Sequence, residues 1–184
     1  ERIVVAVDPP AGTGGNACCI VAAGRDGQGR CIVLADRTLR NAAPLQWASA
    51  AAAVYRGIGA DCIIAEVNQG GEMVRSMIHS VDAAVAVRTV HASRGKWLRA
   101  EPIALLYERG LILHSGSFPD LEDEMCALTR DGATPGRSPD RLDALVWAIT
   151  ALMLAGGGSP RVRGGGGGAR RGSAAGPTHP PTGD

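Results

Sequence analysis

Three acidic residues stand in three separate stretches of the chain, each at the edge of an apolar segment. Asp8 closes Ile3-Val4-Val5-Ala6-Val7, Glu66 closes Cys62-Ile63-Ile64-Ala65, and Asp143 lies one turn inside an apolar helical pattern that begins near Pro139. A carboxylate beside a core is costly unless it is paired or coordinates a cation. Three that converge would offer oxygen ligands to hard divalent ions. Two such ions about 3.5–4 Å apart can clamp the attacking water and the leaving oxygen of a phosphodiester. In that arrangement Asp8 is the expected bridge between the two ions, with Glu66 and Asp143 flanking. Catalysis then needs no histidine and no nucleophilic side chain.

Each acid also has a plainer explanation. Asp8 precedes Pro9 and could simply open a turn. Glu66 could face water on an edge strand, although glutamate is a poor strand residue and the carboxyl end of a strand is where open α/β sheets place ligands. In Ser138-Pro139-Asp140-Arg141-Leu142-Asp143, the acids at i and i+3 share a helix face. The helix dipole alone accounts for Asp140 in the first turn. Asp143, among Leu142, Leu145 and Val146, has no such account, so it is the expected metal ligand and Asp140 the weaker candidate.

Candidate contacts to an anionic polymer follow from Arg94-Gly95-Lys96-Trp97-Leu98-Arg99. Gly95 precedes a helix, which puts Lys96 and Arg99 at its N-terminal end, where cations oppose the dipole unless an anion is close. A DNA phosphate would be such an anion. Lys96 is the preferred contact, with Arg99 and Arg94 beside it. Asn68 either orients Glu66 or a phosphate, or serves a turn. A solvated basic turn is the plainer reading. His79, His91 and His114 share no metal-ligand spacing and read as structural or surface residues, and Asp120-Leu121-Glu122-Asp123-Glu124 reads as a helix N-terminus.

The elements that must position these groups follow from hydrophobic periodicity. Arg2 to Val7 is a nearly continuous apolar run, as in a strand buried on both faces. Ala17–Ala23 and Cys31–Asp36 follow around the glycine-rich hairpin loop Gly24-Arg25-Asp26-Gly27-Gln28-Gly29, suggesting an antiparallel meander. Helices are then expected over 44–55, 71–80 (Met73, Met77 and Ile78 on one face), 96–109 (Pro102 tolerated near its start), 121–128 and 139–155. The last has Ser138 as N-cap and Pro139 at the first helical position. Strands are expected over 62–67, 83–90 and 111–113. Strand–helix alternation after a meander, closed by a helix bearing an acid, predicts a ribonuclease H-like α/β fold, a mixed β-sheet with helices on both faces.

The chain of 184 residues suits one domain, and 45% hydrophobic content sustains a core built of Val, Ile, Leu and Ala, since aromatics are only 3%. A formal net charge of +1 leaves no global basic field, so any nucleic-acid contact must be local. The five cysteines form no C-x-x-C pair and read as small buried hydrophobes of a reducing compartment. No run reaches the roughly 18 apolar residues of a membrane span, and no signal peptide is visible. The abrupt start in a strand suggests a domain cut from something longer. Residues 1–155 read as the folded domain. Residues 156–184, dominated by Gly, Pro, Ser and Ala, read as a disordered spacer or a loose cationic arm on DNA or a partner.

Four segments together carry a resemblance: Val7-Asp8-Pro9; Ala65-Glu66-Val67-Asn68-Gln69-Gly70-Gly71; Lys96-x-x-Arg99-Ala100-Glu101-Pro102; and Asp140-Arg141-Leu142-Asp143-Ala144-Leu145-Val146-Trp147-Ala148. In this order and spacing, over about residues 1–155, they resemble the nuclease domain of the large terminase subunit of tailed bacteriophages. The resemblance implies a ribonuclease H-like fold, Mg²⁺- or Mn²⁺-dependent cleavage of double-stranded DNA during genome packaging, and work in the bacterial host cytoplasm. By the same resemblance Asp8, Glu66 and Asp143 match the metal-binding acids and Lys96 a basic position near DNA. The implied partners are an ATPase motor domain, the small terminase subunit and the portal. This chain has no G-x-x-x-x-G-K-[ST] loop, which fits a domain separated from its motor, and ATP-driven translocation is not assigned to it.

Two other classes compete. An actin-like or sugar-kinase-like ATP-binding domain could use Asp8 with Gly12-Thr13-Gly14-Gly15 as a phosphate cradle, but Glu66 and Asp143 would then share no task. A docking module of a packaging motor would have acids that never bind metal.

Overall fold

The computed structural model describes residues 1–9, 17–67, 71–129 and 139–154. The expected tail 156–184, Asn68, Ser138 and the Gly12–Gly15 segment lie outside the described residues.

Seven strands are described. β1 (Arg2–Asp8), β2 (Ala17–Arg25) and β3 (Cys31–Asp36) form the antiparallel meander, and β4 (Leu39–Arg40) adds to β2. β5 (Cys62–Glu66), β6 (Val87–Val90) and β7 (Ile112–His114) complete the order β6-β5-β1-β2-β3-β7. β5 runs parallel to β1, β6 to β5, and β7 to β3, so β2 alone opposes its neighbours along this path. The hairpin between β2 and β3 is closed by Asp26, whose Oδ1 accepts the amides of Gln28 (2.9 Å) and Arg30 (2.8 Å). Gly29 takes φ +81° there, a conformation L side chains rarely adopt.

Side-chain alternation sorts the sheet into two cores. Val4 and Ala6 of β1, Cys19, Val21 and Ala23 of β2, and Ile64 of β5 face one layer of helices: α3 (Lys96–Glu108), α4 (Pro119–Ala127) and α5 (Asp140–Ile149). Val5 and Val7, Cys18, Ile20 and Ala22, and Ile63 and Ala65 face the other: α1 (Pro44–Gly57) and α2 (Gly71–Val81). The predicted mixed sheet with helices on both faces is therefore the architecture. α5 lies across β1, β2 and β5 and is buried from Arg141 through Val146. A helix apolar on nearly all sides belongs in such a position. Truncating Leu145 or Ile149, both fully buried, would cost about 2–5 kcal/mol.

Several expectations are corrected. The strand expected over 83–90 begins only at Val87, because Asp82 Oδ1 accepts the Ala84 amide (2.9 Å) and holds the preceding residues in a turn. On α2 the buried residues are Val74 and Ile78, and Met73 is exposed. The last helix starts at Asp140 with Pro139 as N-cap, and Thr150–Leu154 continues it as a π-helix. β4 was not expected, being too short to show a period. Cys18, Cys19 and Cys31 are buried as expected, but Cys126 is exposed on α4.

Candidate active site

The alternation that builds the core also aims the acids. Asp8 continues the Val4–Ala6 face of β1, and Glu66 continues the Ile64 face of β5, so both carboxylates emerge at the carboxyl ends of adjacent parallel strands on the α5 side. α5 brings Asp140 and Asp143 in its first turn to the same place. Asp8, Asp140 and Asp143 each present a carboxylate oxygen, and these atoms lie within 4.8 Å of one another.

Glu66 stands beside this trio rather than in it. It is buried, and its Oε2 accepts the indole Nε1–H of Trp147 and pairs with Arg99 Nη1 at 3.5 Å. Its charge nevertheless reaches Asp8. Burial, then Glu66, Asp143 and Asp140 in that order, push the Asp8 carboxyl up to about 8. Burial likewise holds Asp143 above the usual carboxylate range, although Lys96 and Arg99 oppose it. Asp143, the expected ligand, and Asp140, the weaker candidate, both stand in the trio.

The basic residues divide. Arg94 is exposed. Lys96 turns inward, its Nζ pairing with Asp143 Oδ2 and, at 3.3 Å, with Asp140 Oδ1. Burial works against its charge, but the two aspartates outweigh this and hold the ammonium above its ordinary value. Arg99, a candidate DNA contact, is 10% exposed. Its Nη2 pairs with Asp143 Oδ1 at 3.0 Å, and its guanidinium lies 5.0 Å from the Trp147 ring centroid. The anions that make cations tolerable at the N-terminus of α3 are thus the protein's own. Among the described residues, Glu66, Asp140 and Asp143 pair with Lys96 and Arg99, and Asp8 stands in the same cluster.

Sequence reasoning missed Trp147, Glu124 and Arg141. Trp147 follows Asp143 by four positions, so i,i+4 spacing on one face was the available signal. Arg141 is buried, with Nε on Asp36 Oδ2 (3.0 Å), Nη1 on Glu124 Oε1 (3.0 Å) and Nη2 on Asp120 Oδ2 (2.7 Å). A buried cation needs such partners, but no local pattern shows which ones.

The helix order, the mixed sheet and acids gathered at the ends of its central parallel strands define a ribonuclease H-like protein. The terminase RNaseH-like domain family model matches residues 5–152, and the chain belongs to that family. No curated protein matches the sequence. Among solved structures, the large terminase nuclease from thermophilic phage G20c aligns with a TM-score of 0.62 at 13% identity, covering 81% of each chain. A form of it with bound magnesium gives 0.63 at 13%, over 80% of this chain and 81% of that one. The nuclease domain of the large terminase subunit gp2 of bacterial virus Sf6 gives 0.59 at 16%, over 81% and 88%. T. thermophilus RuvC in complex with a Holliday junction substrate gives 0.51 at 13%, over 84% and 95%. At these identities the likeness is one of fold.

Proposed function

We propose that this domain is a divalent-cation-dependent endonuclease that hydrolyses double-stranded DNA during viral genome packaging. The observation that carries this reading is the meeting of Asp8, Asp140 and Asp143 within 4.8 Å at the end of the central strand of a terminase-family fold. These residues suit a hard cation. They offer only oxygen donors, and burial together with the charges of Glu66, Asp143 and Asp140 raises the Asp8 carboxyl. The G20c nuclease, which shares the fold, is described with bound magnesium, cobalt and zinc.

Asp8, Asp140 and Asp143 would hold the first Mg²⁺ or Mn²⁺, with Glu66 adjacent for a second. Such ions supply Lewis-acid stabilisation of phosphate charge and a more acidic water. The chain's own residues do the rest. Arg99 and Trp147 fix Glu66 and Asp143 in place. Lys96, which pairs with Asp140 and Asp143 here, would be released toward a DNA phosphate if a cation took the aspartates. Arg94, exposed just before α3, extends the same contact. Residues 1–155 are taken as the nuclease unit, residues 156–184 as a tail, and the motor, small subunit and portal as partners acting in the host cytoplasm.

The test is nicking of supercoiled plasmid with Mn²⁺ or Mg²⁺, with ATP hydrolysis assayed in parallel. Cleavage that EDTA and Asp8→Ala both abolish supports the reading. ATP hydrolysis without cleavage supports the kinase-like alternative, and full cleavage by Asp8→Ala removes the mechanism.

A further inference from the structure

Among the described residues α5 has no local side-chain cap: Pro139 is its N-cap residue and makes no side-chain capping bond. The first N–H groups of a helix have no partner within it and must find one elsewhere. Here the partner comes from another helix. Glu124 of α4 accepts the Arg141 amide at 2.8 Å and the Leu142 amide at 3.3 Å through Oε2, and the Arg141 guanidinium through Oε1. Arg141 is then clamped at its other nitrogens by Asp36 at the end of β3 and by Asp120 at the start of α4. Asp36 is itself fixed, its Oδ1 accepting from the Thr38 amide (3.0 Å) and hydroxyl (2.6 Å).

Helical rotation of about 100° per residue places Arg141 well away from the face that Asp140 and Asp143 share. The clamp therefore grips the back of the turn and leaves the acids' face open. The apolar body of α5, with Ala144, Leu145, Ala148 and Ile149 fully buried, would stay seated without it. The first turn has further ties, in the Asp143 amide on the Pro139 carbonyl (3.1 Å) and in Lys96 and Arg99 on its aspartates, but its Arg141 and Leu142 amides are held by Glu124.

We infer that Glu124 and Arg141 are positioning residues, a remote cap and clamp that set the first turn of α5 so that Asp140 and Asp143 meet Asp8. This rests on the metal-site reading proposed above. It assigns to α4 a task in the nuclease site, although α4 contributes no ligand.

The experiment measures Mn²⁺ binding by calorimetry on the full chain without DNA, well below each variant's melting temperature, with hydrogen exchange at the Arg141 and Leu142 amides. Glu124→Ala is expected to weaken Mn²⁺ binding about 10–100-fold, the usual effect of losing a group that orients metal ligands, and to speed exchange at both amides. Glu124→Gln keeps an acceptor for the amides and is expected to recover part of the affinity; Arg141→Lys, losing the three-way fork, is not. A role in stability alone would lower the melting temperature and leave the affinity of the folded protein unchanged. If the wild type binds Mn²⁺, Asp8→Ala loses it, and both Glu124→Gln and Arg141→Lys bind within twofold of wild type, the inference is overturned while the metal site stands; these two variants decide the matter should Glu124→Ala not fold. A wild type that binds no Mn²⁺ overturns both.

Discussion

Trp147 donates its indole N–H to Glu66 from one turn beyond Asp143 on the same helix. α5 thus supplies two aspartates and the group that restrains the fourth acid. This accounts for Glu66 lying beside the three-aspartate cluster instead of inside it.

Trp147→Phe keeps an aromatic face for Arg99 and removes the N–H. A hydrogen bond to a charged group contributes about 1.5–3 kcal/mol, and urea unfolding of the variant should show a loss of that size. A change below about 0.5 kcal/mol would mean that this bond does not hold Glu66.

Lys96 occupies the space between the aspartates and the solvent, so its role depends on the cation. Lys96→Ala should bind Mn²⁺ at least as tightly as wild type, because a competing ammonium is gone. With Ca²⁺ present, its DNA affinity should depend less on salt, the log–log slope falling by about 0.9 for one lost phosphate contact. An unchanged slope would remove Lys96 from the DNA interface.

The Asp8 carboxyl gives a pH dependence of definite sign. In the unfolded chain it titrates near 3.9, and in the fold burial and three neighbouring acids raise it to about 8. Between these values the folded state holds a proton that the unfolded state releases, so stability falls as pH rises toward 8 and levels off above it. Melting temperatures in EDTA, compared between wild type and Asp8→Asn, should diverge in that direction between pH 5 and 8. Millimolar Mg²⁺ should shrink the divergence. A difference that is flat with pH would contradict the crowded-acid description.

Thiol labelling tests the core directly. Burial pushes Cys18 and Cys31 up to about 12, and Cys19 higher still. At pH 8 a disulfide reagent should modify exposed Cys126 rapidly, half-buried Cys62 slowly, and the other three only on unfolding. Fast labelling of three or more thiols in the native protein would place the two cores wrongly.

What was legible in the sequence was whatever local pattern encodes. The apolar runs of β1, β2 and β5 and their terminal acids follow from alternation, and the i,i+3 pair Asp140 and Asp143 follows from helical spacing. The inward turn of Arg99 was not legible, because exposure of a cation is set by partners far away in sequence: Glu66 lies 33 positions before it and Asp143 lies 44 after. The same holds for Glu124, whose acidic run reads locally as the start of α4 and does carry Asp120 and Glu122 in its first turn, yet Glu124 caps a different helix. The ranking of Asp143 above Asp140 used dipole logic, which explains why an acid is tolerated in a first turn but does not say whether it also meets other acids across the sheet.

The central claim is that Asp8, Asp140 and Asp143 together hold a divalent cation. Its most direct test is a crystal of this domain soaked in Mn²⁺, with anomalous scattering used to locate the metal. A manganese peak within about 2.0–2.3 Å of oxygens from these three residues, with Lys96 displaced from Asp140 and Asp143, is the result expected. Saturating Mn²⁺ with no peak beside the trio, or peaks only elsewhere on the surface, would contradict the account.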